Sequence, residues 1–247
     1  MIDHEDYQQA PESASMVAQT AKALGRLSMA AADGDYIGAE ADLLKTLGVS
    51  RPTLRQAAKV VENDRLLTVR RGAGGGFYAA RPTARDAIQA PAQWLRLQSA
   101  TLDQMSNASR LIFPQAAFQA AACDDAALIA ELRGLRRDLD NRRPDKDVRN
   151  ETVMTEVRLS ELIARMTGDP VMQLFVGISH SFGLLERRLN LYRDDVARRL
   201  RWLELQRRLC DAVLAGDAGL ARTVAVERGD LVSTWIRASI EAARDDA

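Results

Sequence analysis

Cysteine and histidine are scarce. Cys123 and Cys210 are the only thiols, and His4 and His180 the only imidazoles, in 247 residues. Two cysteines far apart in sequence supply neither a disulfide framework nor the spacing of a zinc site, and a reducing cytoplasm is their simplest setting. Without a visible set of nucleophile, base and metal ligands, an enzyme is disfavoured. Aromatic residues are also few, at 5% against 47% apolar overall, so the core must be built from Leu, Ala, Val and Ile, as in helix-rich proteins. No apolar run approaches the roughly 18 residues of a membrane-spanning helix. His4, Glu5 and Asp6 stand where an export signal needs a basic start and then an apolar run, so the expectation is a soluble cytoplasmic protein with no membrane partner. A net charge is missing too, since 34 basic residues balance 34 acidic ones. This argues against a protein that coats nucleic acid over its whole surface, but it permits a local basic face.

Such a face is present. The length favours two domains, and the pattern changes character near residue 81. Before it, apolar spacing predicts helices over 14–31, 39–47 and 51–63, then two short strands around a glycine-rich tip at Gly72–Gly76. After it the pattern is almost wholly helical, with breaks near Asp124, Pro144, Gly168 and Gly216 and about six helices in all. The expected fold is mainly α. A winged helix-turn-helix (three helices and a two-stranded wing) occupies 14–80, a linker 81–90, and an all-α antiparallel bundle 91–245.

Within the first region, Gly48 suits the position just past a helix end, and Ser50 suits the N-cap of the next helix, with Pro52 tolerated in its first turn. Leu54, Ala57, Ala58 and Val61 then form an inner stripe, while Arg51, Arg55 and Lys59 fall on the opposite face. From Lys45 to Arg71 there are seven basic residues and two acidic ones. A basic helix pinned by a tight turn suits the major groove, where arginine reaches guanine edges or phosphates. A basic, glycine-rich hairpin suits the minor groove. The loop lacks the Lys-Ser/Thr and the βαβ context of a nucleotide-binding loop.

The run from Glu40 to Ala57, with Gly48-Val49-Ser50-Arg51 and Leu54-Arg55 at its centre, together with Leu66–Gly72, resembles the GntR family of bacterial regulators. That resemblance implies operator contacts by Arg51, Thr53 and Arg55 and by the wing at Arg71 and Gly72. Lys59 joins them from its place on the same face. Ala41 departs from the pattern, because an arginine usually follows the glutamate at that point, so one contact is missing.

Residues 90–245 resemble the helical effector domain of the FadR-like branch, called FCD. The resemblance implies a homodimer and a cavity for a small molecule, often with a metal held by an aspartate and three histidines. Here those four positions read Glu156, Ser160, Gln206 and Arg228. All three imidazoles are absent, so no metal and no other cofactor is expected. Arg110, Glu156, Ser160, Gln206 and Arg228 are instead the expected ligand-binding residues, with Arg228 and Arg110 neutralising a small organic anion directly through paired guanidinium–carboxylate hydrogen bonds. The plainer alternative places Arg110 in a structural ion pair and Arg228 on the surface. In function, a dimeric repressor released from operator DNA by an organic acid competes with an architectural DNA-binding protein and, more remotely, with a helical enzyme.

Overall fold

The computed structural model describes residues 15–72, 74–143, 151–185, 191–192 and 195–245. The chain divides into two compact units between Asp86 and Ala87.

In the first unit, α1 (Met16–Ala30) starts at Ser15, whose hydroxyl accepts from the Ala18 amide. Its inner face is Thr20, Ala21, Leu24 and Ser28, while Leu27 is exposed. The Ser28 hydroxyl donates to the Leu66 carbonyl and ties α1 to the chain entering the wing. A short strand β1 (Tyr36–Gly38) follows, then α2 (Glu40–Leu47) and α3 (Arg51–Asn63). The hairpin strands are β2 (Leu67–Arg70) and β3 (Gly76–Ala79). The expected two-stranded wing is present as β2 and β3, and a third strand extends its sheet. β1 pairs antiparallel with β3 on the side away from β2, giving the order β1-β3-β2. β1 has only three residues and sits beside glycine, which left its pattern too short to stand out. Leu24, Leu43, Leu54, Ala57, Val61, Leu67 and Phe77 close the core of this winged helix-turn-helix.

The second unit is all helix. Among the described residues seven helices follow, against about six expected: α4 (Ala84–Leu97), which starts at the end of the first unit, α5 (Leu102–Ala120), α6 (Ala126–Asp140), α7 (Glu151–Met166), α8 (Pro170–Leu185), α9 (Val196–Leu214) and α10 (Ala218–Asp245). The expected breaks at Asp124, Gly168 and Gly216 all occur, and Asp125 caps α6 through the amides of Ala127 and Leu128. Pro144 lies outside the described residues. The unforeseen break at Ser99 is a residue with φ of 56° followed by a capping box between Thr101 and Gln104. α4 begins inside the stretch read as a linker, and Arg81 donates to the carbonyls of Ser28, Met29 and Ala31. α10 lies against α5 and α9, and α5 against α7 and α8. Leu132, Leu139, Leu159, Ile163, Trp202, Leu205 and Leu209 are fully buried between them.

Candidate nucleic-acid interface and helical cavity

The basic face is built by local rules. Gly48 takes a left-handed φ of 65°, which ends α2 and turns the chain within three residues. The Ser50 hydroxyl caps α3 at the Thr53 amide and also lies 2.8 Å from the Thr53 hydroxyl. Leu54, Ala57, Ala58 and Val61 are buried as the stripe predicts. The helix can therefore rotate in only one way, and Arg51, Arg55 and Lys59 are held in solvent.

The wing is fixed to this helix. Glu62 accepts from the Val69 amide at 2.9 Å, joining α3 to β2. At the tip, Gly72 and Gly74 have φ of 92° and 78°, and a Cβ on Gly75 would stand 2.7 Å from the Arg70 carbonyl. Tyr78 donates to the Gly74 carbonyl and carries the Arg70 guanidinium over its ring at 4.1 Å. Between α3 and the wing lies a cleft lined by Arg55, Lys59, Arg70, Arg71 and Gly72, with Glu40 at its edge. Arg55, Lys59, Arg71 and Gly72 thus share one cleft, Arg51 is joined to Arg55 through Glu40, and Thr53 stands in the first turn of α3 outside the cleft lining.

Sequence reasoning missed two members of this face. Arg70 was counted among the cations but not assigned a role, and only its stacking on Tyr78 singles it out. Glu40 approaches Arg51 Nε at 3.6 Å and Arg55 Nη2 at 3.2 Å. Both arginine side chains remain about 70% exposed, at 72% and 68%. An exposed pair of this kind is worth no more than about 1 kcal/mol. Glu40 therefore orients the guanidinia without neutralising them against a polyanion.

In the second unit, Glu156, Ser160, Gln206 and Arg228 meet at one point. Arg228 Nη2 donates to Glu156 Oε1 and to the Ser160 hydroxyl, each at 2.9 Å. The Gln206 amide faces two donors, so its oxygen is turned to them, accepting from Arg228 Nε at 3.0 Å and from Trp202 Nε1 at 3.1 Å. Tyr192 donates to the other carboxylate oxygen of Glu156 at 2.9 Å, and the Arg228 guanidinium lies over the Phe113 ring at 4.4 Å. Arg228 is 6% exposed, so it is not a surface residue. Arg199 is likewise buried and donates to the Tyr192 carbonyl.

A cavity of about 180 Å³ opens beside this cluster. Arg110, Glu156, Tyr192 and Arg228 line it, whereas Ser160 and Gln206 do not and support the cluster from behind. Arg110 pairs with Asp230, and both are substantially exposed. His180 also lines the cavity. Desolvation, opposed by Glu156 and assisted by Arg228, pushes its imidazole down to about 4, so it is neutral at pH 7. Burial, then the neighbouring Glu156 charge, holds the Tyr192 phenol well above its usual range, so it acts only as a donor. Cys210 is a buried structural thiol pushed up to about 12 by desolvation. Among the described residues no three His, Cys, Asp or Glu side chains come together as a metal site. No described helix is long and apolar enough to cross a membrane.

These features define a winged helix-turn-helix protein with a helical second unit that carries a cavity. No family model matches the chain, and no curated protein matches it. Among solved structures it is similar to Streptococcus agalactiae GntR, with a TM-score of 0.67 and 19% identity over 88% of this chain and 99% of that one. It is also similar to E. coli McbR/YncC, with a TM-score of 0.44 and 18% identity over 91% of this chain and 98% of that one. The first of these establishes that the chain has the fold of a GntR protein across both units.

Proposed function

We propose that this protein is a sequence-specific DNA-binding transcription regulator, acting as a homodimeric repressor that a small organic acid releases from its operator. One observation carries the DNA-binding part. Five exposed cations, Arg51, Arg55, Lys59, Arg70 and Arg71, stand on α3 and the wing of a single compact unit. α3 is thirteen residues long, which suits insertion into a major groove about 12 Å wide. Arg51, Thr53 and Arg55 at its start are the base-reading candidates, and Lys59, Arg71 and the Gly72 backbone the phosphate or minor-groove candidates. The fold shared with S. agalactiae GntR supports the same reading.

The cavity favours a ligand-responsive regulator over an architectural one. At about 180 Å³ it is close to the roughly 150 Å³ of an engineered cavity that takes benzene, which suits a single-ring or short-chain molecule. Arg110 and Arg228, paired with Asp230 and Glu156, are the cations in a mainly apolar lining, which suits an acid with an apolar body. A homodimer would present two recognition helices to half-sites one helical turn, about 34 Å, apart.

The test is fluorescence anisotropy on DNA selected from random fragments by the purified protein. The selected sequence should be a near-palindrome, binding should weaken steeply with salt, and Arg55→Ala should abolish the preference. Selection of no consensus, or unchanged binding by Arg55→Ala, would remove the proposal.

A further inference from the structure

The four positions that the resemblance assigns to a metal ion converge here on a guanidinium. A transition-metal ion does not fit these donors. One carboxylate, a hydroxyl and a carboxamide are weak ligands for it. A guanidinium has no lone pair to give, and its fixed charge repels a cation. We propose that the Arg228 guanidinium is a built-in cation standing in place of a metal. It joins α7, α9 and α10 through Glu156, Ser160 and Gln206 and presents its remaining nitrogen, Nη1, to an acid group in the cavity.

The geometry supports each half of this. The pair is buried, with side-chain exposures of 7% for Arg228 and 15% for Glu156. Both carboxylate oxygens of Glu156 have donors, from Arg228 and Tyr192. Three acceptors on two other helices surround the guanidinium, as ligands surround an ion. Nη2 and Nε are engaged, so Nη1 is the nitrogen with no protein partner among the described residues, on a side chain that lines the cavity. The paired, two-nitrogen grip expected from sequence is therefore closed to a ligand at Arg228. A metal can chelate two oxygens of a hydroxy acid, whereas Nη1 offers a single point to a simple carboxylate. This ligand consequence rests on the effector reading above, but the role of the cation does not.

The experiment uses the full chain, freed of metal with EDTA and then titrated with Zn²⁺ or Ni²⁺. The wild type should show no saturable binding of one ion per chain. The triple variant Ser160→His/Gln206→His/Arg228→His, with Glu156 retained, should gain one equivalent and melt higher with metal. One-per-chain binding by the wild type that Glu156→Gln removes would overturn the proposal, as would a folded triple variant that binds no ion. If the triple variant does not fold, a melting pair decides. Arg228→Met should lower Tm by about 10 °C because it strands a buried carboxylate, and Glu156→Gln/Arg228→Met should recover at least half of that loss. Equal melting of the single and double variants would overturn the built-in cation. Binding of benzoate and hexanoate, followed by tryptophan fluorescence, should be unaffected by EDTA, and binding abolished by EDTA would overturn it as well. If neither acid binds, the effector reading of the cavity falls, while the titration and the melting pair still decide the cation.

Discussion

Arginine does opposite work in the two units. On α3, Arg51 and Arg55 are about 70% exposed and share one carboxylate with each other. In the helical unit, Arg228 is buried, and two of its nitrogens are engaged by side chains from two other helices. The first arrangement keeps cations hydrated and easily exchanged, as phosphate binding requires, because counterion release and not a fixed partner supplies the affinity. The second makes the cation part of the fold. Removing one partner leaves a charge buried without compensation, which typically costs about 3–5 kcal/mol. Whether an arginine is a ligand-binding residue or a structural one thus depends on how many of its nitrogens the protein has already satisfied.

The largest effect expected from this contrast lies in the first unit. The double variant Arg51→Ala/Arg55→Ala should lose at least about a hundredfold in affinity for selected DNA, from roughly 1–3 kcal/mol per base-reading arginine. Its Tm should stay within about 2 °C of the wild type, since exposed pairs add little stability. A large drop in melting temperature would show that these arginines are structural after all, and the contrast would collapse.

Next in size is the wing. A Cβ on Gly75 would meet the Arg70 and Gly72 carbonyls at 2.7 and 2.8 Å, both of them backbone atoms that cannot step aside. Gly75→Ala should therefore displace the tip that carries Arg71 and weaken DNA binding about tenfold, while α3 remains folded by circular dichroism. Unchanged affinity would remove the wing from the interface.

A smaller and opposite effect is expected at Glu40. Its carboxylate pairs with both Arg51 and Arg55. Glu40→Gln should tighten binding to unrelated DNA a few-fold and narrow the gap between selected and unrelated sequences, because the guanidinia lose their orienting partner. Anisotropy on both DNAs reads this directly. Weaker binding to both would mean that Glu40 does not compete with phosphate for these guanidinia.

The two halves differed as much in what could be read from sequence. The first unit was legible because its determinants are local. Gly48, Ser50 and Pro52 mark the turn, and the spacing of Leu54, Ala57, Ala58 and Val61 sets which face is wet. β1 escaped notice because three residues carry no periodicity, and Glu40 because its partners lie eleven and fifteen residues away on another helix. In the second unit, periodicity marked helices but not their neighbours. The convergence of Glu156, Ser160, Gln206 and Arg228 came only from a family pattern, and Tyr192 and Phe113 carried no signal at all, since contacts between separate helices leave no mark on local spacing. The direction of Arg228 is the instructive case. Its charge was legible, but the number of its nitrogens already bonded was not.

The smallest predicted effect uses the neutral imidazole of the cavity. His180 has its pKa pushed down to about 4 by desolvation, with Glu156 opposing and Arg228 assisting, whereas an unfolded histidine titrates near 6.5. Between those values the unfolded chain binds a proton that the folded chain does not. Stability contributed by keeping His180 neutral is therefore complete above about pH 6.5 and falls progressively as pH drops toward 4. The wild type should thus lose more in Tm between pH 7 and pH 5 than His180→Gln, which has nothing to titrate. Parallel melting curves for the two proteins across this range would show that His180 is hydrated, and that the cavity wall it forms is open to water.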